Sequence, residues 1–318
     1  MATSAGHAEA RQGLSFRAPG HTRLSENELG DVRFRVAAAA RDVAQLRRSV
    51  LAWRESSTLS VEARQDPDDR RVIEHVLNSS KVFPHREWSL HAGRAINEAR
   101  SALDNLNTSM FERFAQDSYD PDKIYFPITN GGKEWRGWRQ KHRALPEWAT
   151  DRYKKVQPSE GPFKGLLGLQ AMDNDRKHKR LTPLNIAIVG ELSSWTATLE
   201  GIVSENEIEP EIEALSNILG PGMRTVKISR LRFAQEIIEI EFKTGGSEPN
   251  FDLHFNFHDE SYELPELADL PNRVAAAIDY VSSGDVSALA RYMAPPALTL
   301  HEKSQVSPRE PNSAKAEA

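Results

Sequence analysis

Before Pro183 the apolar residues of this chain recur every three or four positions, and after it they alternate or gather in short runs. A period of three to four belongs to helices and a period of two to strands. The switch therefore groups helices first and strands later, which excludes a regular βαβ alternation and predicts an α+β fold. Proline disfavours helical geometry in the residue before it, so Pro183 is itself a stop signal.

The first helix is expected from Ser25, where Ser25-Glu26-Asn27-Glu28 has the capping-box pattern. Leu29, Val32, Val36, Ala40, Val43, Leu46, Val50 and Trp53 supply its apolar stripe. A β-hairpin over about 58–78 follows, with Gln65 to Asp69 as the turn between two short runs. A second long helix runs from about His85 to Gln116, with Ile96, Ala99, Leu103, Leu106, Met110 and Phe114 on one face. These pieces predict a long helical hairpin carrying a β-hairpin insertion. Residues 119–160 are loop-rich with short helices at most, and Phe163 to Lys179 is helical. Strands are expected at Leu184–Val189, Trp195–Val203, Thr225–Ser229, Ile237–Phe242 and Phe251–Phe257, forming one mostly antiparallel sheet, and helices at Leu264–Ser282 and Val286–Met293 close the fold. The division by region is 1–24 as a disordered tail, 25–182 as a mainly helical region, 183–294 as sheet plus closing helices, and 295–318 as a second disordered tail.

Length and composition exclude several classes of function. The 318 residues are 39% hydrophobic and 27% charged, enough for a full core, and no window approaches the roughly 18 apolar residues of a membrane span. No secretory signal is visible at the N-terminus, so the expected compartment is the cytoplasm. The chain has no cysteine, which removes disulfides, thiolate nucleophiles and Cys-ligated metals. No cofactor motif is present, and no metal site is expected: His254 and His258 lie four residues apart on a strand, about 13 Å, too far to share one ion.

Charge is unevenly spread. Residues 131–180 hold thirteen Lys and Arg against six Asp and Glu, whereas residues 191–270 hold five against seventeen. The first segment interleaves its cations with Trp135, Trp138, Trp148, Tyr153 and Phe163. Such a composition suits a surface that neutralises phosphates and stacks bases, although aromatics in loop-rich segments also serve to pack them down. Its anion-binding candidates are Arg136, Arg139, Lys141, Arg143, Lys154, Lys155, Arg176 and Arg180. The expected function is a binding module for an anionic partner, with nucleic acid as one candidate partner and no membrane.

A catalytic reading stands beside it. Asn97, Arg100, Asp104 and Asn107 form a polar line along the second helix, and Arg100 can pair with Asp104 at i,i+4. His178 sits at a helix end among Asp173, Asp175, Arg176, Lys177, Lys179 and Arg180. If they converge, Asp104 and His178 form the acid/base pair of a ribonuclease or other hydrolase, assisted by Arg100 or Lys177. An i,i+4 ion pair and helix-end electrostatics explain the same residues without chemistry.

Four short motifs occur in order: Arg100-Ser101-Ala102-Leu103-Asp104, Phe126-Pro127-Ile128, Gln157-Pro158 and Lys177-His178 with basic residues and Leu181 behind it. Over residues 30 to 190 they resemble the signature of a family of uncharacterised bacterial proteins of actinobacterial type, which has no assigned activity. The family pattern usually has His or a similar residue after the helix aspartate and Asp directly before Lys-His, where this chain has Asn105 and Arg176. A more distant similarity is to helical HEPN-type domains, which carry Arg, four to six residues, then His. Arg86 to His91 and Arg136 to His142 have that spacing, and the resemblance implies a ribonuclease as the alternative function.

Overall fold

The computed structural model describes residues 22–116, 125–160, 163, 165–178, 184–189, 194–199, 202–204, 211–214, 221–234, 236–243, 250–257 and 260–293. Both expected tails lie almost wholly outside the described residues. Helix α1 (Gly30–Ser56) and helix α2 (His85–Phe114) form the hairpin, with β1 (Leu59–Gln65) and β2 (Val72–Ser79) between them. Helices α3 (Gly132–Lys141), α4 (Glu147–Lys155) and α5 (Gly165–His178) follow. Strands β3 (Leu184–Val189), β4 (Ser194–Leu199), β5 (Ile202–Ser204), β6 (Glu211–Ala214), β7 (Thr225–Arg232), β8 (Ile237–Lys243), β9 (Asn250–Phe257) and β10 (Glu260–Glu263) come next, then α6 (Leu264–Ser283) and α7 (Val286–Met293). The fold is α+β.

The capping-box bonds of Ser25 and Glu28 form, but they close a turn ahead of the helix, which starts at Gly30. Along α1, Val32, Ala39, Val43, Leu46, Val50 and Trp53 are buried, the stepped spacing of a helix that lies along a partner. That partner is α2. Its small residues Ala92, Ala95, Ala99 and Ala102 are fully buried and allow a close approach. Polar pairs edge the seam: Arg35–Glu98 at 3.0 Å, His91–Asp42 at 3.0 Å and Ser49–Glu87 at 2.7 Å. The α1 members are seven residues apart and their partners run the opposite way, so the two helices are antiparallel.

Helix α2 is the centre of the molecule, packed by α1, α5 and α6. Leu267, Leu270, Val274, Ala277, Ile278 and Val281 of α6 close the core. At its start α6 carries a capping box between Glu263 and Glu266, and it ends at Gly284, whose φ of 73° is left-handed.

The strands do not form the single sheet expected from sequence. Among the described residues they make three antiparallel sheets, ordered β1-β2-β7-β6, β10-β9-β3 and β5-β4-β8. The N-terminal hairpin is thus half of a four-stranded sheet, with Val72 opposite Arg232 and Asn78 opposite Thr225. The run Trp195–Val203 is a hairpin, since Thr198 pairs with Val203.

Glu74 shows how the shared sheet is held. Its carboxylate lies inside the ladder and receives Lys227 Nζ at 2.6 Å and Arg230 Nη2 at 3.0 Å. Burial alone would raise its pKa, but the hydrogen bonds from Lys227 and Arg230 outweigh that and hold it below the usual value. On the same sheet His75 is buried, with Nδ1 2.8 Å from Ser229 Oγ.

Burial depresses the pKa of His75, and likewise of His85 and His142. A histidine with a depressed folded pKa binds its proton more readily when unfolded, so its stabilising contribution is full above the unfolded pKa and is lost as pH falls. The melting temperature is therefore expected to drop between pH 7.5 and pH 5.5. Thermal melts followed by circular dichroism check this, and a flat or rising profile contradicts it.

Candidate functional site

Three of the four ordered motifs meet at one stretch of chain, Phe126 to Thr129. From α2, Asp104 Oδ1 accepts the backbone N–H of Phe126 at 2.9 Å. Arg100 Nη2 donates to the Phe126 carbonyl at 3.0 Å and also lies 3.0 Å from Asp104 Oδ1. The i,i+4 pair therefore grips both backbone groups of Phe126. Arg100 is the more covered partner, with 12% of its side chain exposed against 26% for Asp104.

Gln157, just after α4, holds the rest of the stretch. Its Oε1 accepts from Thr129 N at 2.9 Å and Thr129 Oγ1 at 3.0 Å. Its Nε2 donates to the Pro127 and Tyr153 carbonyls, each at 2.9 Å. The residue is 1% exposed, so a side-chain amide replaces the ladder that this extended segment lacks. The Phe126 ring packs on Tyr153 with centroids 5.4 Å apart. Sequence reasoning placed Gln157 and Phe126 only within the motifs of the resemblance. The signal that could have singled out Gln157 is an uncharged amide beside Pro158 in a strongly cationic stretch.

Among the acid/base candidates, Arg100 and Asp104 are engaged as described. Lys177 and His178 fall in the last turn of α5, beyond the side chains that are described, as does Arg176, and Arg180 lies outside the described residues. Asn107, next on the polar line of α2, is fully buried, so that line turns into the protein rather than out to solvent. Of the two Arg-to-His spacings, His91 is engaged with Asp42 at the α1–α2 seam. The ring of His142 sits 5.1 Å from that of Phe111 and 4.8 Å from that of Trp138. Burial, then the neighbouring Lys141 charge, holds His142 below its ordinary pKa. Among the described residues no group of three or more His, Asp or Glu could hold a metal ion.

The basic segment separates its two residue types by side. Trp135 and Tyr153 are buried, and Trp138 and Trp148 are half-buried. Trp138 stacks on Trp135 and packs on Tyr153, while Trp148 meets Phe114 edge-on at 4.9 Å and carries the Arg152 guanidinium 4.5 Å above its ring. Trp148 thus fastens α4 to the C-terminal end of α2, and the other rings pack α3 on α4. By contrast Lys133, Arg136, Arg139, Lys141, Arg143, Lys154 and Lys155 are exposed. Arg139 faces Glu147 at 3.9 Å, and Lys133, Arg136, Lys141, Arg143 and Lys155 have no ion-pair partner among the described residues.

Two cavities flank the clamped stretch. One of about 500 Å³ lies between α5 and α6, lined by Leu167, Leu169, Met172, Leu267, Leu270 and Arg273 among others. One of about 250 Å³ lies at the start of α3, lined by Gly131, Gly132, Trp135, Arg136, Lys154 and Gln157, with Ser159 common to both.

No protein-family model, curated protein or solved structure matches the chain. No described helix is long and apolar enough to cross a membrane.

Proposed function

We propose that this protein is a binding module that meets an anionic partner through the outer face of α3 and α4, and that the partner is a nucleic acid read through its phosphates. The supporting observation is the division of the segment: five exposed cations without an ion-pair partner among the described residues stand on a platform whose aromatic rings are turned inward. Rings packed against one another and against Phe114 offer little face for stacking, so recognition through this surface rests on charge. Binding of that kind tolerates sequence and weakens with salt.

Lys141 and Arg143 are exposed and make no described ion pair, so reversing their charge leaves the fold intact. The Lys141→Glu, Arg143→Glu double variant is expected to bind a double-stranded oligonucleotide at least about tenfold more weakly and to reduce the slope of log affinity against log salt by about two, near 0.9 per phosphate contact. Fluorescence anisotropy between 50 and 200 mM salt measures both. Failure of the unaltered chain to bind duplex or single-stranded oligonucleotides at 50 mM salt would remove the proposal.

A further inference from the structure

The two cavities adjoin through a common wall. Ser159 lines both, while Asn130 and Pro158 line the larger and their chain neighbours Gly131 and Gln157 line the smaller. That wall is made by the two strands of chain that Gln157 ties together through Thr129 and Pro127, so it is held in place before anything binds. Together the cavities fall within the 300–1,000 Å³ usual for small-molecule sites.

Their linings differ. The larger is walled by Leu167, Leu169 and Met172 of α5 and by Leu267 and Leu270 of α6. The two charged side chains described in its lining are committed within the protein. Glu266 Oε2 accepts the Glu263 N–H at 3.0 Å in the α6 capping box, and Arg273 Nε donates to Asp269 at 2.8 Å. The Arg273 guanidinium also lies over Gly165 at the start of α5, in the space that a Cβ there would take. This half suits a hydrocarbon. In the smaller half the described charged side chains are Arg136 from α3 and Lys154 from α4, and Arg136 makes no ion pair among the described residues.

The geometry points to one composite site for a small amphipathic anion, with a carboxylate or phosphate head beside Arg136 and Lys154 and an apolar body between α5 and α6. An apolar body gains from leaving water in proportion to its area, while the head keeps the orientation single. The site is separate from the outward cations Lys141 and Arg143, although Arg136 and Lys154 border both surfaces.

Isothermal titration calorimetry of the full chain with decanoate, decanol and decylamine tests it. Decanoate is expected to bind with one site per chain, decanol at least tenfold more weakly, and decylamine not at all. Neutralising the head site with Arg136→Gln and Lys154→Gln brings decanoate down to the level of decanol and leaves decanol unchanged. Two filling variants address the body: Leu167→Trp in the apolar wall, and Ser159→Phe at the exposed junction, where loss of folding is not expected. Both should abolish decanoate binding, and Ser159→Phe should still bind the oligonucleotide. No binding of decanoate by the folded chain, equal binding of decanoate and decylamine, or full binding by Ser159→Phe overturns the inference. Since the oligonucleotide is scored in the same variants, either proposal can fail while the other stands.

Discussion

Replacing Gln157 by leucine is expected to remove about 3–6 kcal/mol of stability, the larger of two effects centred on the clamped stretch. The side chain serves four partners in a buried setting: Thr129 N and Oγ1, and the carbonyls of Pro127 and Tyr153. Leucine fills a similar volume and serves none of them. The Thr129 N–H and the Pro127 carbonyl belong to a segment that joins no ladder among the described residues, so they are left buried without a described replacement, at roughly 1–3 kcal/mol per group. Urea unfolding followed by tryptophan fluorescence gives the number, and a loss below about 1 kcal/mol would mean that the segment is held by something other than Gln157. Because Gln157 and Ser159 border the cavities, the same variant also loosens their common wall.

The second large effect is expected at Asp104. Asp104→Ala leaves Arg100, 12% exposed, beside the Phe126 carbonyl without its carboxylate, and leaves the Phe126 N–H without its acceptor. Removing one member of a largely covered ion pair costs about 3 kcal/mol, of which the residual exposure of Asp104 recovers a part. Asp104→Asn keeps an oxygen for Phe126 and should cost about 1 kcal/mol. This order separates the two roles open to Asp104. A positioning role predicts that alanine is far worse than asparagine in chemical denaturation. A general base predicts that both variants abolish turnover of a substrate while stability stays near that of the unaltered chain.

The helices were legible because each long element writes its burial along the sequence. His85 to Phe114 was expected to within two residues at its end, since its apolar period persists for eight turns and the loop residues that follow break it. The Arg100–Asp104 pair was legible for the same reason: helical spacing makes it local. What the pair holds was not, because Phe126 is 22 residues beyond Asp104 and a backbone N–H leaves no mark on a sequence. Strand partners were hidden in the same way. Alternation shows which residues share a face, yet nothing in the run from Val72 to Ser79 names Thr225 to Arg232 as its neighbour. The one long run from Trp195 to Val203 concealed a hairpin because its apolar residues continue on both sides of Glu200-Gly201. In the basic segment, composition gave the residue types without their directions, and packing of the rings on one another, on Phe126 and on Phe111 and Phe114 of α2 decides which of them face water.

The ladder between β2 and β7 joins residues about 150 positions apart, and this sets an order of events during synthesis. β2 is formed from chain that emerges early, and seven of its eight residues are buried in the finished fold. Until residue 232 has been made, its far edge has no β7 to pair with, and a strand that carries Val72, Ile73, Val76 and Leu77 on an open edge is what neighbouring chains recruit. Long-range pairing of this kind is also slow. The nascent chain thus passes through a window in which the helical hairpin can form and the sheet cannot. Pauses or truncations between residues 80 and 232 should send the product toward aggregates rather than toward a smaller folded protein.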